Sequence, residues 1–203
     1  EPSIPALRHA LFEDEDADQA KWASALIKDR YIFTALAADA SSTIIKALVN
    51  GLTPAEYREV MMAVDPENGT DPIPLIMQVM LSEDWSVKRV IADHFEESDW
   101  ENLLTGNWSE RFITNVTEDE KADELLSFIL EYLSDDCILR VAQANECFLL
   151  KQIVCSEDYD LYATLLNNIK DQNIQERVFS LIKEIAKNAE NIFYYADDSN
   201  RTG

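Results

Sequence analysis

The side chains able to do chemistry are few and poorly placed for it. A Cys–His nucleophile would need His94 beside Cys137, Cys147 or Cys155, with a third group to orient the ring. Cys137 and Cys155 fall on apolar runs and Cys147 lies in a connection, a pattern that reads as buried structural thiols. No C-x-x-C or H-E-x-x-H spacing is present, so no transition-metal site is expected. Asp14, Asp16 and Asp18 offer D-x-D-x-D, but a calcium loop needs Gly sixth and Glu twelfth, where this chain has Gln19 and Ala25. There is no P-loop, Rossmann glycine pattern, G-x-S-x-G or kinase signature, and the 4 glycines leave little material for phosphate-cradling loops. The expectation is a protein without catalysis, cofactor or metal.

A second candidate is an acidic tetrad that recurs: "SEDW" at Ser82–Trp85, "TEDE" at Thr117–Glu120 and "SEDY" at Ser156–Tyr159. It reads either as a ligand or phosphorylation site or as punctuation of a repeat. Ser82, Thr117 and Ser156 stand where helix N-caps belong, and the acids after them would oppose the positive end of the helix dipole. Thr117 and Glu120 have the spacing of a capping box. Ser82 and Ser156 also resemble acidophilic-kinase sites, but a capping role accounts for the recurrence without any ligand.

The elements around the tetrads repeat too. Apolar pairs four residues apart close a helix at Leu48/Leu52, Ile91/Phe95, Ile129/Leu133 and Leu165/Ile169, so closing residues recur after 43, 38 and 36 positions. A polar step follows each pair (Thr53-Pro54, Glu96–Asp99, Ser134-Asp135, Lys170-Asp171), then a second apolar run. A short helix and a longer amphipathic one cannot bury their apolar faces alone, so neighbouring units must stack as a solenoid. The reading is one all-α domain over residues 1–195. It has an N-terminal half-unit at 1–30, units at 31–71, 72–107, 108–145 and 146–180, a capping helix at 181–195 and a frayed tail at 196–203.

Apolar residues make up 47% of the 203, enough for a core, and no apolar stretch approaches the roughly 20 residues of a membrane span. The first residues lack a basic region followed by an apolar one, so no secretory signal is expected. Three cysteines, an odd count, fit reduced thiols and a cytoplasmic setting. The formal charge of −22 argues against direct contact with nucleic acid or anionic membrane. It favours a protein partner of basic or mixed charge, or mimicry of nucleic acid.

The segment "DPENGTDPIPL" (Asp65–Leu75) narrows the repeat class. Its Gly69-Thr70-Asp71-Pro72-Ile73 resembles the G-x-T-P-L of ankyrin repeats, with Asp71 for the usual Thr, Ile73 for Leu and Pro74 for His. Asp71 keeps a capping role and Pro72 suits the first helical position, whereas the hydrogen bonds of the family's His are lost. The resemblance covers about residues 31–185, and its long, irregular units are similar to degenerate ankyrin repeats in effectors of intracellular bacteria.

It implies an all-α helical-repeat solenoid, degenerate and ankyrin-like, of four to five units with a C-terminal capping helix. It also implies a monomeric protein-binding module acting from its concave face and connecting tips, on a host protein in the host cytoplasm if the effector likeness holds. The expected partner-binding residues are Asp65, Glu67, Asn68 and Asp71 at one tip, Trp108, Glu110 and Arg111 at the next, and Asn145 and Glu146 at a third. Trp108 follows Gly106-Asn107 and reads either as an exposed hot spot or as a staple tucked into the core. The alternative function is an acidic regulatory or inhibitory domain that mimics nucleic acid in a basic groove.

Overall fold

Local capping chemistry decides where the helices begin. A computed structural model of the protein describes residue 46 and residues 49–64, 73–81, 84–156 and 158–199, with side chains as far as 188. Its helices are α1 (Pro54–Met61), α2 (Leu75–Met80), α3 (Trp85–Ala92), α4 (Glu97–Thr105), α5 (Ser109–Thr117), α6 (Ala122–Leu130), α7 (Asp135–Cys155), α8 (Tyr159–Asn168) and α9 (Gln172–Ser199). Among the described residues there is no strand, only an isolated antiparallel bridge between Val64 and Pro74. The protein is all-α. It divides into two units, Glu1–Phe95 and Glu96–Gly203.

In the first unit, Thr53 and Glu56 form a reciprocal capping box and Pro54 takes the first helical position of α1, where its missing N–H costs nothing. The helix buries Tyr57, Val60 and Met61. The Tyr57 hydroxyl donates to the Ile91 carbonyl of α3, and its ring meets Phe95 edge-on at 5.4 Å. The Val64–Pro74 bridge and the Leu75 N–H to Ala63 carbonyl bond (3.1 Å) then set the chain into α2. Helix α2 buries Leu75, Ile76, Met77, Val79 and Met80. Asp71 and Pro72 lie outside the described residues; α2 starts at Leu75, after Pro74 at φ −55°, ψ 147°. The pyrrolidine ring of Pro74 disfavours helical geometry at Ile73, which is not helical.

The second unit holds α4–α9. Helices α4, α7 and α9 start at the polar steps found in the sequence. Asp99 accepts the Glu96 N–H (3.0 Å), Ser134 Oγ accepts the Cys137 N–H (3.3 Å), and Asp171 accepts those of Asn173 and Ile174 (2.8 and 3.1 Å). With α1, these helices begin 43, 38 and 37 residues apart.

Carboxylates at successive helix starts link one helix to the next. Glu97 accepts the Ser134 N–H (2.5 Å), and Asp135 accepts those of Lys170 (3.1 Å) and Asp171 (2.6 Å). One turn on, Glu101 takes a two-pronged hydrogen bond from Arg140 (2.6 and 2.8 Å). The Asn168 amide donates to Ser127 Oγ (3.3 Å), joining α8 to α6. Helix α4 therefore packs beside α7, α7 beside α9, and α6 beside α8. Their apolar faces meet in a core that includes Trp100, Phe112, Leu125, Ile138, Leu150, Leu165 and Val178.

Neither described tetrad hydroxyl is a helix N-cap, although Ser156 Oγ accepts the Asp158 N–H (3.3 Å) just ahead of α8. Thr117 is the last residue of α5, buried, and its Oγ1 donates back to the Ile113 carbonyl (3.0 Å). Ser156 closes α7 and donates to the Ile153 carbonyl (2.9 Å). Ser82 lies outside the described residues. The third residue of each tetrad is the acceptor instead: Asp84 for Ser86 N–H (2.9 Å), Asp119 for Lys121 N–H (2.8 Å) and Asp158 for Asp160 N–H (2.8 Å). An Asp side chain reaching two residues ahead makes an Asx turn, which opens α3 and α8 directly. Helix α6 starts later, at Ala122, so the Thr117/Glu120 box does not form. At the other end, α9 is one helix from Gln172 to Ser199, so the expected boundary at 180/181 falls inside it and residues 196–199 are helical.

Candidate interaction surface

Of the nine residues expected to bind a partner, Asp65, Glu67, Asn68 and Asp71 lie outside the described residues. The other five come from two places that the fold brings together. Trp108, Glu110 and Arg111 stand at the start of α5, and Asn145 and Glu146 at a break within α7.

The first place is a tight reversal between α4 and α5. The Gly106 N–H closes α4 on the Asn102 carbonyl (2.8 Å), and the Gly106 carbonyl accepts both the N–H (3.1 Å) and the hydroxyl (2.7 Å) of Ser109. A β-carbon at Gly106 would stand 2.5 Å from the Asn102 oxygen, so only glycine fits. This turn leaves Trp108 half-buried just before α5 and Ser109 almost wholly buried, at 2% exposure. Glu110 is exposed and Arg111 half-buried. Trp108 is thus neither a fully exposed hot spot nor a core staple.

The second place is a backbone break. Ala144 is extended (φ −68°, ψ 155°), and Asn145, Glu146 and Cys147 follow at φ 47°, 56° and 61°. Left-handed geometry costs a non-glycine residue roughly 1 kcal/mol or more, and Asn bears it best. The Asn145 amide secures the break by donating to the Thr105 carbonyl (3.2 Å) and to Ser109 Oγ (2.8 Å). The two expected tips therefore share one hydrogen-bonded hub, with Ser109 receiving from one and donating into the other. Glu146, exposed, reaches Lys151 at 3.5 Å, a surface pair of little energetic weight.

The thiols separate by environment. Cys137 is buried, and burial, reinforced by the Glu101 and Glu97 charges, pushes its thiol up to about 12, so it stays protonated and unreactive. Cys147 is half-buried and Cys155 exposed, which corrects the expectation that all three are buried. Cys155 is the last residue of α7, where the apolar run has already turned outward. His94 sits just past α3, its ring nitrogens at 2.8 Å from the Val90 carbonyl and 3.3 Å from Asn50 Oδ1. No cluster of metal-ligating side chains occurs among the described residues, and no helix there is long and apolar enough to cross a membrane.

Comparison with protein families, curated proteins and solved structures gives no match.

In the sequence Gly106 stood out only as the residue leading to Trp108, and nothing marked Ser109, whose hydroxyl joins Asn145 to that turn. Gly106 was the visible signal: one of only 4 glycines, followed by a polar residue and a tryptophan.

Proposed function

We propose that the protein is a non-enzymatic protein-binding module, a degenerate ankyrin-like helical array whose joined tips engage a partner with a basic or mixed-charge surface. The observation that carries this reading is the hub itself. Asn145 ties the strained break in α7 to the turn before α5, so Trp108, Glu110 and Glu146 are presented on fixed backbone. A surface already ordered before binding forfeits less side-chain and loop entropy when a partner arrives. A half-buried Trp flanked by carboxylates suits a cationic side chain, through ring face and charge together.

The array reading draws support from the recurrence of helix starts and from carboxylate links that repeat from α4 to α7 and from α7 to α9. The ankyrin likeness draws on the Val64–Pro74 bridge, which stands at the base of the segment that carries the resemblance.

The test compares proteins captured by the wild type with those captured by Trp108→Ala/Glu110→Lys/Glu146→Lys and by the control Glu118→Lys/Glu120→Lys. Glu118 and Glu120 are exposed beyond the opposite end of α5. A partner lost at least tenfold by the tip variant and kept by the control supports the reading. Equal loss with both variants, or none with either, overturns it. A partner indifferent to the tips but released by moderate salt would favour mimicry of nucleic acid in a basic groove.

A further inference from the structure

Helices α7 and α9 enter the second unit in the same way: Glu97, first residue of α4, accepts the N–H of Ser134 just before α7, and Asp135, first residue of α7, accepts those of Lys170 and Asp171 just before α9. Counted from the first helical residue, Arg140 is sixth in α7 and Arg177 is sixth in α9. Arg140 finds Glu101, the fifth residue of α4, at 2.6 Å. The fifth residue of α7 is Leu139, which is buried. No carboxylate stands at the position in α7 that Glu101 holds in α4, and among the described residues Arg177 makes no ion pair.

Arg177 instead lines a groove of about 580 Å³, shared with Gln143 of α7 and with Asn173, Glu176, Ser180 and Glu184 of α9. Glu184 lies seven residues beyond Arg177, two helical turns or about 10 Å along the axis, and half-buried Leu181 lies between them in sequence. The Ser180 hydroxyl donates to the Glu176 carbonyl (2.8 Å), which leaves its oxygen able to accept.

We propose that this groove binds an extended peptide segment of a partner protein bearing a carboxylate and a cationic side chain three residues apart. The carboxylate takes the fork of Arg177 as Glu101 takes that of Arg140, and the cation faces Glu184. Three residues of polyproline-like chain span about 9 Å, close to the separation of Arg177 and Glu184 along the helix. A carboxylate–guanidinium fork is strong and directional, so it selects register, while the cation is drawn in by the acidic field. Leu181 meets the apolar part of the peptide, and Gln143 and Ser180 are placed to bond its backbone. The groove shares no residue with the Trp108–Asn145 surface, so the proposal stands or falls separately from that reading.

The experiment is a nuclear magnetic resonance titration of the full chain with acetyl-Pro-Glu-Pro-Pro-Lys-Pro-amide and with the same peptide carrying Glu and Lys exchanged. Saturable shifts at Arg177 Nε–H and Ser180 are expected for one of the two orders. They should weaken about tenfold when the peptide's Glu becomes Gln or in Arg177→Gln, a loss of about 1.4 kcal/mol. Because Arg177 is exposed, that variant should keep the wild-type melting temperature. In Glu184→Lys the preference should switch to a peptide with Glu at both charged positions, an outcome that a general loss of folding cannot mimic. Absence of saturable shifts with either order, equal binding of the Gln peptide, or wild-type binding by Arg177→Gln overturns the proposal.

Discussion

Gly106→Ala tests how tightly the chain folds back between α4 and α5. The added methyl meets backbone oxygen at 2.5 Å rather than a side chain that could swing away, so the turn itself must shift. Urea denaturation should show a loss of about 2 kcal/mol, in the range for overpacked sites. Asn145 makes a different demand. Asn145→Ala removes both donor bonds of the hub and the residue type that best tolerates φ near 50°, for a loss of about 2 kcal/mol. Asn145→Gly relieves the backbone but restores neither bond, so it should fall between the two. An Asn145→Ala protein as stable as the wild type would remove the hub from the account. At this scale the sequence could be read only in part. That the tetrads punctuate helices was legible; which of their side chains caps was not. Hydroxyl and carboxylate are both good caps, and only the backbone position decided that Asp84, Asp119 and Asp158 would cap while Thr117 and Ser156 donate backwards, Ser156 also accepting the Asp158 N–H.

Between elements, the carboxylate links make an acid-sensitive seam. Hydrogen bonding from Ser134 holds Glu97 below the ordinary 4.5, and the Arg140 guanidinium does the same for Glu101. Both groups bind protons less readily folded than unfolded. Their contribution is therefore complete above the unfolded value and is lost as pH falls from about 4.5 through the lowered folded values. A Glu97→Ala/Glu101→Ala protein should lose stability at pH 7 and show a shallower acid limb than the wild type in melting temperature against pH. Parallel limbs would mean that other carboxylates govern acid unfolding. Asp135→Ala leaves the N–H groups of Lys170 and Asp171 without their acceptor and should cost about 2 kcal/mol. The helix starts at 54, 97, 135 and 172 were legible because Thr-Pro, Glu-x-x-Asp, Ser-Asp and Lys-Asp are local signals. The links between helices were not, since nothing in one helix states which N–H groups another will bring to it. The break at Ala144–Cys147 was anticipated only as a connection. Its left-handed run carries no glycine, so the residue types gave no warning of the geometry.

For the whole molecule, the charge of −22 opposes the compactness that the seams and core provide. Like charges crowded by folding raise the free energy of the compact state, and that cost shrinks when salt screens them. Two trends should follow. At pH 7 the melting temperature should climb as sodium chloride rises from low concentration to about 0.1 M, where the screening length is about 10 Å, and should flatten beyond it. On acidification it should fall as Glu97, Glu101 and Asp84 protonate. Hydrogen bonding, chiefly from the Ser86 side chain, lowers Asp84 from its ordinary 3.8. High salt should accordingly raise the melting temperature at neutral pH while leaving the acid limb in place. That asymmetry separates the two causes, because diffuse repulsion is screened whereas the Glu101–Arg140 fork, with partners 2.6 Å apart, is screened much less. A melting temperature that fell with salt at pH 7 would show that favourable charge pairs outweigh the repulsion, and the acidic surface would then be a source of stability rather than a load on it.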